Sequence, residues 1–165
     1  TEAGDELGYA MVICIDLAVG SGSLYLRDGD PNIQPFLDYN YLDDEFDTAR
    51  LREGVRICLD LAEHEGWDRL VMERAEPTDA DLESDEALDA WIRRTVSTSH
   101  HVSGTCKMGP ESDPMAVVDQ YGNVRGLENL KVADASIMPD CIRANTNVTS
   151  MVIGERVAAF IVEGL

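Results

Sequence analysis

The sequence predicts an α+β fold, an antiparallel sheet with flanking helices. Three strand-like apolar runs separated by turn residues fill the first 41 positions, and segments of helical periodicity follow them. The chain has 165 residues and is 44% apolar, which suits one domain with an ordinary core.

Tyr9 to Leu17 is dense in apolar and β-branched residues and reads as a largely buried strand. Gly20-Ser21-Gly22 marks a turn, and Ser23 to Arg27 reads as the next strand, so the two are expected to pair as a hairpin. Asp28-Gly29-Asp30-Pro31-Asn32 is turn chemistry again, before a third run from Phe36 to Tyr41. Asp47 or Thr48 is placed to cap a helix that runs to about His64, with Leu51, Val55, Cys58, Leu59 and Ala62 on one face. Ser84 caps a second helix whose apolar stripe is Leu88, Trp91, Ile92 and Val96. The segment from Thr98 to about Gly126 is long and irregular, and such loops in compact domains are functional or disordered. Leu130 to Asp134 reads as a short strand. Thr149 or Ser150 then caps a last helix that is apolar on several sides and is expected to be well buried.

Charge narrows the function classes. The chain carries 32 acidic and 13 basic residues, a net charge of −19, and its only lysines are Lys107 and Lys131. Such a surface disfavours nucleic acid and anionic membrane, whose recognition needs clustered cations. It reads as a solvated, self-repelling surface, or as an adaptation to high salt. No apolar run reaches the ~18 residues of a membrane span, and no leader pattern is visible. Cys14, Cys58, Cys106 and Cys141 form no CxxC pair and read as free thiols, so a cytoplasmic location is expected. A zinc site from His100, His101, Cys106 and Cys141 fits no paired-ligand spacing, and no metal is expected. The first residue is Thr rather than Met, so the chain is expected to be a piece of something longer.

The irregular segment holds Ser99-His100-His101-Val102-Ser103-Gly104-Thr105-Cys106-Lys107-Met108-Gly109-Pro110, with two of the three histidines of the chain. From the residues alone it is a loop with candidate proton-transfer groups, because only histidine has an ordinary pKa (~6.5) near neutrality. A loop histidine is also commonly a plain surface residue, and Asn147-Val148-Thr149 is also a glycosylation sequon. Three blocks, His101 to Gly109, Val132 to Pro139 and Asn145 to Glu155, resemble in order and spacing the C-terminal blocks of the glucose–methanol–choline (GMC) oxidoreductases. The resemblance extends from about Gly8 to the end of the chain.

The resemblance implies the C-terminal part of an FAD-dependent enzyme oxidising a small alcohol. Residues 8–128 would be the substrate-binding domain with the histidine loop. Residues 129–165 would be a strand and helix returning to complete a Rossmann-type FAD domain. The sequence has no G-x-G-x-x-G after any strand, so that FAD-binding portion is expected outside this chain, as a partner of it. The family motif puts proton abstraction on His101 and gives His100 no catalytic role. Asn145 stands where the family has a His or Asn, and would hold the substrate oxygen. Asp134 and Ala135 match residues that line FAD, and Asn147 and Thr149 sit at a helix N-terminus suited to the flavin. Without its partner portion the fragment is expected to expose apolar surface and self-associate. Two other readings remain: a flavin-containing lyase on the same scaffold, and a non-catalytic stand-alone domain.

Overall fold

The computed structural model describes residues 8–68 and 73–165. Among the described residues it is an α+β structure with one two-stranded antiparallel sheet, strands β1 (Ser23–Tyr25) and β2 (Phe36–Asp38), and three α-helices. The helices are α1 (Glu45–Ala62), α2 (Asp85–Thr95) and α3 (Thr146–Glu163). The chain falls into two compact units. One takes the described residues within Thr1–Ile15, Val19–Gly22 and Tyr39–Ser97; the other takes Asp16–Ala18, Ser23–Asp38 and Thr98–Leu165.

In the first unit α1 and α2 pack through Leu42, Val55, Leu88 and Ile92, with Ile13, Leu51, Leu59, Leu82, Trp91 and Val96 partly buried around them. Each such side chain contributes about 1.5–3 kcal/mol on leaving water. The stripes expected on both helices are thus the faces that meet. Ser84 caps α2 as expected, its hydroxyl accepting from Ala87 N at 3.2 Å. The cap of α1 is instead Asp44, which accepts from Phe46 N at 2.8 Å. Of the two expected caps, Thr48 donates its hydroxyl to Asp44 O at 3.3 Å, and Asp47 is only 4% exposed and accepts from the amides of Val19 and Gly20 at 2.9 and 2.8 Å. This carboxylate, in the first turn of the helix, serves a neighbouring chain segment rather than its own helix end. α1 stops at Ala62, and His64 Nδ1 accepts from Gly66 N at 3.0 Å in the turn beyond it.

The strand expected over Tyr9–Leu17 is not formed. The segment is divided between the two units, and Tyr9 and Val12 are largely exposed. Apolar density does not make a strand without a partner edge to bond to. The hairpin joins the second and third runs instead, in the register Ser23–Asp38, Leu24–Leu37 and Tyr25–Phe36. The Tyr25 and Phe36 rings stack across it at 4.6 Å. The strand expected at Leu130–Asp134 is reduced to one antiparallel bridge between Lys131 and Asn123. α3 begins at Thr146, about a turn earlier than expected, and of its residues only Val157 is buried. No helix among the described residues is long and apolar enough to cross a membrane.

A buried carboxylate ties the turn at residues 78–82 to α2. Asp81 is 9% exposed and accepts from Thr78 N and Oγ1 at 2.8 and 2.6 Å and from Arg94. The Thr78 hydroxyl, then Arg94, outweigh burial and hold the Asp81 carboxyl at about 2, below its ordinary 3.8. A depressed carboxyl stabilises the fold above its unfolded value, and that stability is lost as pH falls through the folded one. Asp81→Asn should therefore lower the melting temperature at neutral pH, and the gap to wild type should narrow between about pH 4 and about 2. Thermal unfolding followed by circular dichroism across that range checks this; a pH-independent gap would contradict it.

Candidate active site

The second unit holds the two-stranded sheet, but its histidine loop is held by an irregular loop framework. Gly104 N, Cys106 N and Met108 N donate to Ala135 O, Ser136 O and Ile137 O at 3.2, 2.9 and 2.8 Å. The other edge of the same segment faces residues 117–118: Val117 N donates to Lys107 O at 2.9 Å and Gly109 N to Val118 O at 3.2 Å. Val118, enclosed by these contacts, is fully buried. The long irregular region expected from the sequence is thus ordered by partners some thirty residues away along the chain.

α3 docks on this framework through Val157 and an edge-to-face contact of Phe160 with Tyr121, ring centroids 5.2 Å apart. It also packs against the short turn Ala135–Ile137. At Gly122 the chain takes φ +78°, and a Cβ there would lie 2.7 Å from Val132 O and 3.3 Å from Val157 Cγ2.

These contacts bring His101 to the N-terminus of α3. His101 Nε2 is 2.5 Å from Asn145 Nδ2, and His101 Nδ1 is 3.1 Å from Thr146 Oγ1. The ring is half-buried while Asn145 is exposed, so the pair opens to one side. Asn145 is the N-cap residue of α3, yet its side chain makes no capping hydrogen bond, and no acidic residue stands in the first turn. The first-turn amides, with exposed Asn147 and half-buried Thr149 among them, are left without a side-chain cap. His101 and Asn145 therefore meet, as the sequence anticipates. Thr146 is the site residue that sequence reasoning misses: a threonine at a helix start looks like helix-end chemistry, and its place directly after Asn145 is the available signal.

The other site residues lie on the adjoining turn. Asp134 caps the Ala135–Ile137 turn, accepting from Ser136 N at 2.7 Å. Hydrogen bonds from the Ser136 hydroxyl and then its amide hold the Asp134 carboxyl below the usual range, against burial. Ala135 contributes its carbonyl to Gly104 N. His100 has the left-handed φ of +64°, its amide donates to Thr98 Oγ1 at 3.0 Å, and its side chain is exposed. An open recess of about 370 Å³ beside Met108, Asp119, Tyr121 and Arg125 contains neither His101 nor Asn145. Among the described residues no group of three or more His, Cys, Asp or Glu converges as a metal cluster would.

Residues 18–154 match the model of the GMC oxidoreductase family. The chain is 34% identical over 156 residues to an oxygen-dependent choline dehydrogenase of Photobacterium profundum, covering 94% of this chain and 27% of that protein. It is 40% identical over 137 residues to one of Cronobacter sakazakii, covering 83% and 24%. A formate oxidase of Aspergillus oryzae, studied for its FAD modification, superposes with a TM-score of 0.76 at 30% identity, covering 86% and 24%. The chain thus spans about a quarter of the length of these relatives.

The framework can be tested at its tightest point. Gly122→Ala must carry a left-handed alanine, about 1–2 kcal/mol, and push against Val132 O, for about 1–3 kcal/mol more. Gly126 has φ +77° but nothing within 4 Å of where a Cβ would sit, so Gly126→Ala should cost only the first part. Urea midpoints of the two variants check the difference; equal losses would show that the close approach is not restrictive.

Proposed function

The chain belongs to the GMC oxidoreductase family, and from that membership we propose that it is the C-terminal part of an FAD-dependent enzyme that oxidises a small alcohol. The observation that carries the reading is the His101–Asn145 pair. Asn145 Nδ2 faces His101 Nε2, and because an amide nitrogen only donates, Nε2 is the acceptor of this contact. An alcohol hydroxyl entering between the two replaces that contact: it donates to Nε2 and accepts from Nδ2. As His101 takes the hydroxyl proton, Asn145 steadies the charge growing on the alcohol oxygen. Asparagine cannot share the proton, so His101 is the base. Choline, named for the relatives, is the first alcohol to try.

The residues present fit FAD. The uncapped amides of α3 and its partial positive end suit an electron-poor ring that gains negative charge on reduction. Asn147 and Thr149 would contact that ring. Ionised Asp134 keeps acceptor capacity beyond its cap and suits the hydroxyls of the ribityl chain, with Ala135 allowing close approach. Bound FAD supplies the acceptor for the hydride that leaves the alcohol carbon.

We further propose that residues 8–128 serve the substrate and residues 129–165 return to an FAD-binding portion carried elsewhere in the enzyme. Exposed Val148, Met151, Val152, Ile161 and Val162 along α3 support this, and also support self-association of the isolated piece. Four free cysteines favour a reducing, cytoplasmic setting.

In the intact enzyme, His101→Ala should slow flavin reduction by the alcohol by about 10²–10⁴-fold. Stopped-flow bleaching of the flavin measures it, and unchanged reduction rejects the assignment. The isolated 165-residue chain should show no saturable tight binding when titrated with FAD; tight binding would overturn the division of the site between two portions.

A further inference from the structure

We propose that Thr146 is the positioning residue of this site: its hydroxyl fixes the His101 ring with the proton on Nδ1 and the lone pair of Nε2 toward the alcohol. The inference rests on the reading of His101 as the base, and deepens it.

The placement of the Asn145 amide, with Nδ2 toward the ring, favours one tautomer. Were the proton on Nε2, two donors would face each other 2.5 Å apart, Nε2–H and the Asn145 amide. With the proton on Nδ1, Nε2 accepts from Asn145 and Nδ1–H donates to Thr146 Oγ1 at 3.1 Å. Both ring nitrogens are then matched without a carboxylate behind the ring, and the alcohol hydroxyl takes the place of the Asn145 amide at Nε2 when it binds.

Thr146 is well placed to impose this choice. It is the first residue of α3, and its carbonyl accepts from Ser150 Oγ at 2.8 Å, so its main chain is held within the first turn. Its branched side chain has few rotamers to explore. The helix behind it is pinned by Val157 and the Phe160–Tyr121 contact. Asn145 and Thr146 thus address opposite nitrogens of one ring from adjacent positions in the chain.

The bond also strengthens during the reaction. When Nε2 takes the alcohol proton, Nδ1–H becomes part of an imidazolium, and charge-assisted hydrogen bonds are roughly twice as strong as neutral ones. An interaction stronger in the transition state than with bound substrate acts on rate rather than on binding.

The test uses the intact flavoenzyme that carries this chain, with whichever of choline and a panel of primary alcohols reduces the wild type fastest. Thr146→Val, which keeps the shape and removes the acceptor, should lower the limiting rate of flavin reduction by about tenfold, with the substrate dissociation constant within about twofold. Thr146→Ser should restore the rate. Nitrogen NMR of the histidine rings should show His101 protonated on Nδ1 in the wild type and a mixed tautomer in Thr146→Val. If that variant fails to fold, Thr146→Ala and the wild-type tautomer carry the test. An unchanged rate with Thr146→Val or Thr146→Ala, failure of serine to restore it, or a wild-type ring protonated on Nε2 overturns the proposal. His101→Ala separates the two claims. If it abolishes reduction while the Thr146 variants do nothing, only the positioning role fails. If it leaves reduction intact, the base assignment fails, and the tautomer still reports on Thr146.

Discussion

The amides of Gly104, Cys106 and Met108 reach the carbonyls of Ala135, Ser136 and Ile137, and where His101 stands depends on that short ladder. Gly104 has φ +80° and a turn follows at Thr105–Cys106, so the segment is no strand, yet its alternate amides at 104, 106 and 108 face the same turn. The facing turn offers consecutive carbonyls, because a 3₁₀ turn leaves several of them pointing outward. The match joins two stretches of chain that no local pattern pairs. Through Lys107 and Gly109 the same segment is bonded on its other edge, so it is central in the framework although it belongs to no sheet. Loss of this ladder would release the histidine loop from the turn on which α3 rests.

The parts of the fold legible in the sequence are those whose cause is local. The α2 cap at Ser84 and the stripes Leu51–Val55–Leu59 and Leu88–Ile92 follow from residue type and helical spacing. The parts that the sequence hides have distant causes. Tyr9–Leu17 has the composition of a strand, but pairing is a property of two segments. Asp47 resembles a cap until the amides of Val19 and Gly20 claim it. The start of α3 reads late because Thr149 and Ser150 look like capping residues, whereas Ser150 bonds back to Thr146 O within the helix.

The same division holds at the candidate site. Proximity of His101 and Asn145, 44 residues apart, follows from the likeness of three ordered blocks to a family, not from periodicity or spacing. Residue chemistry alone leaves His101 a loop histidine. Thr146 is invisible to both routes, since a hydroxyl has a role only once the ring nitrogen it faces is known. The apolar faces of α3 are legible as apolar, and the expected burial fails because burial also requires a covering partner.

Asn145 makes the cost of this arrangement explicit. An N-cap asparagine normally turns its side chain back onto its own helix, and giving up a cap costs about 0.5–2 kcal/mol. Here that side chain faces His101, and the first turn of α3 keeps its amides free. A fold selected only for stability would close both. Leaving them open brings a donor amide, an imidazole and a positive helix end together at the start of α3. In the proposed reading these groups would serve as proton acceptor, holder of the alcohol oxygen and region that tolerates new negative charge. The uncapped helix and the polarised pair are therefore one feature, because the residue that would cap the first is the residue that builds the second.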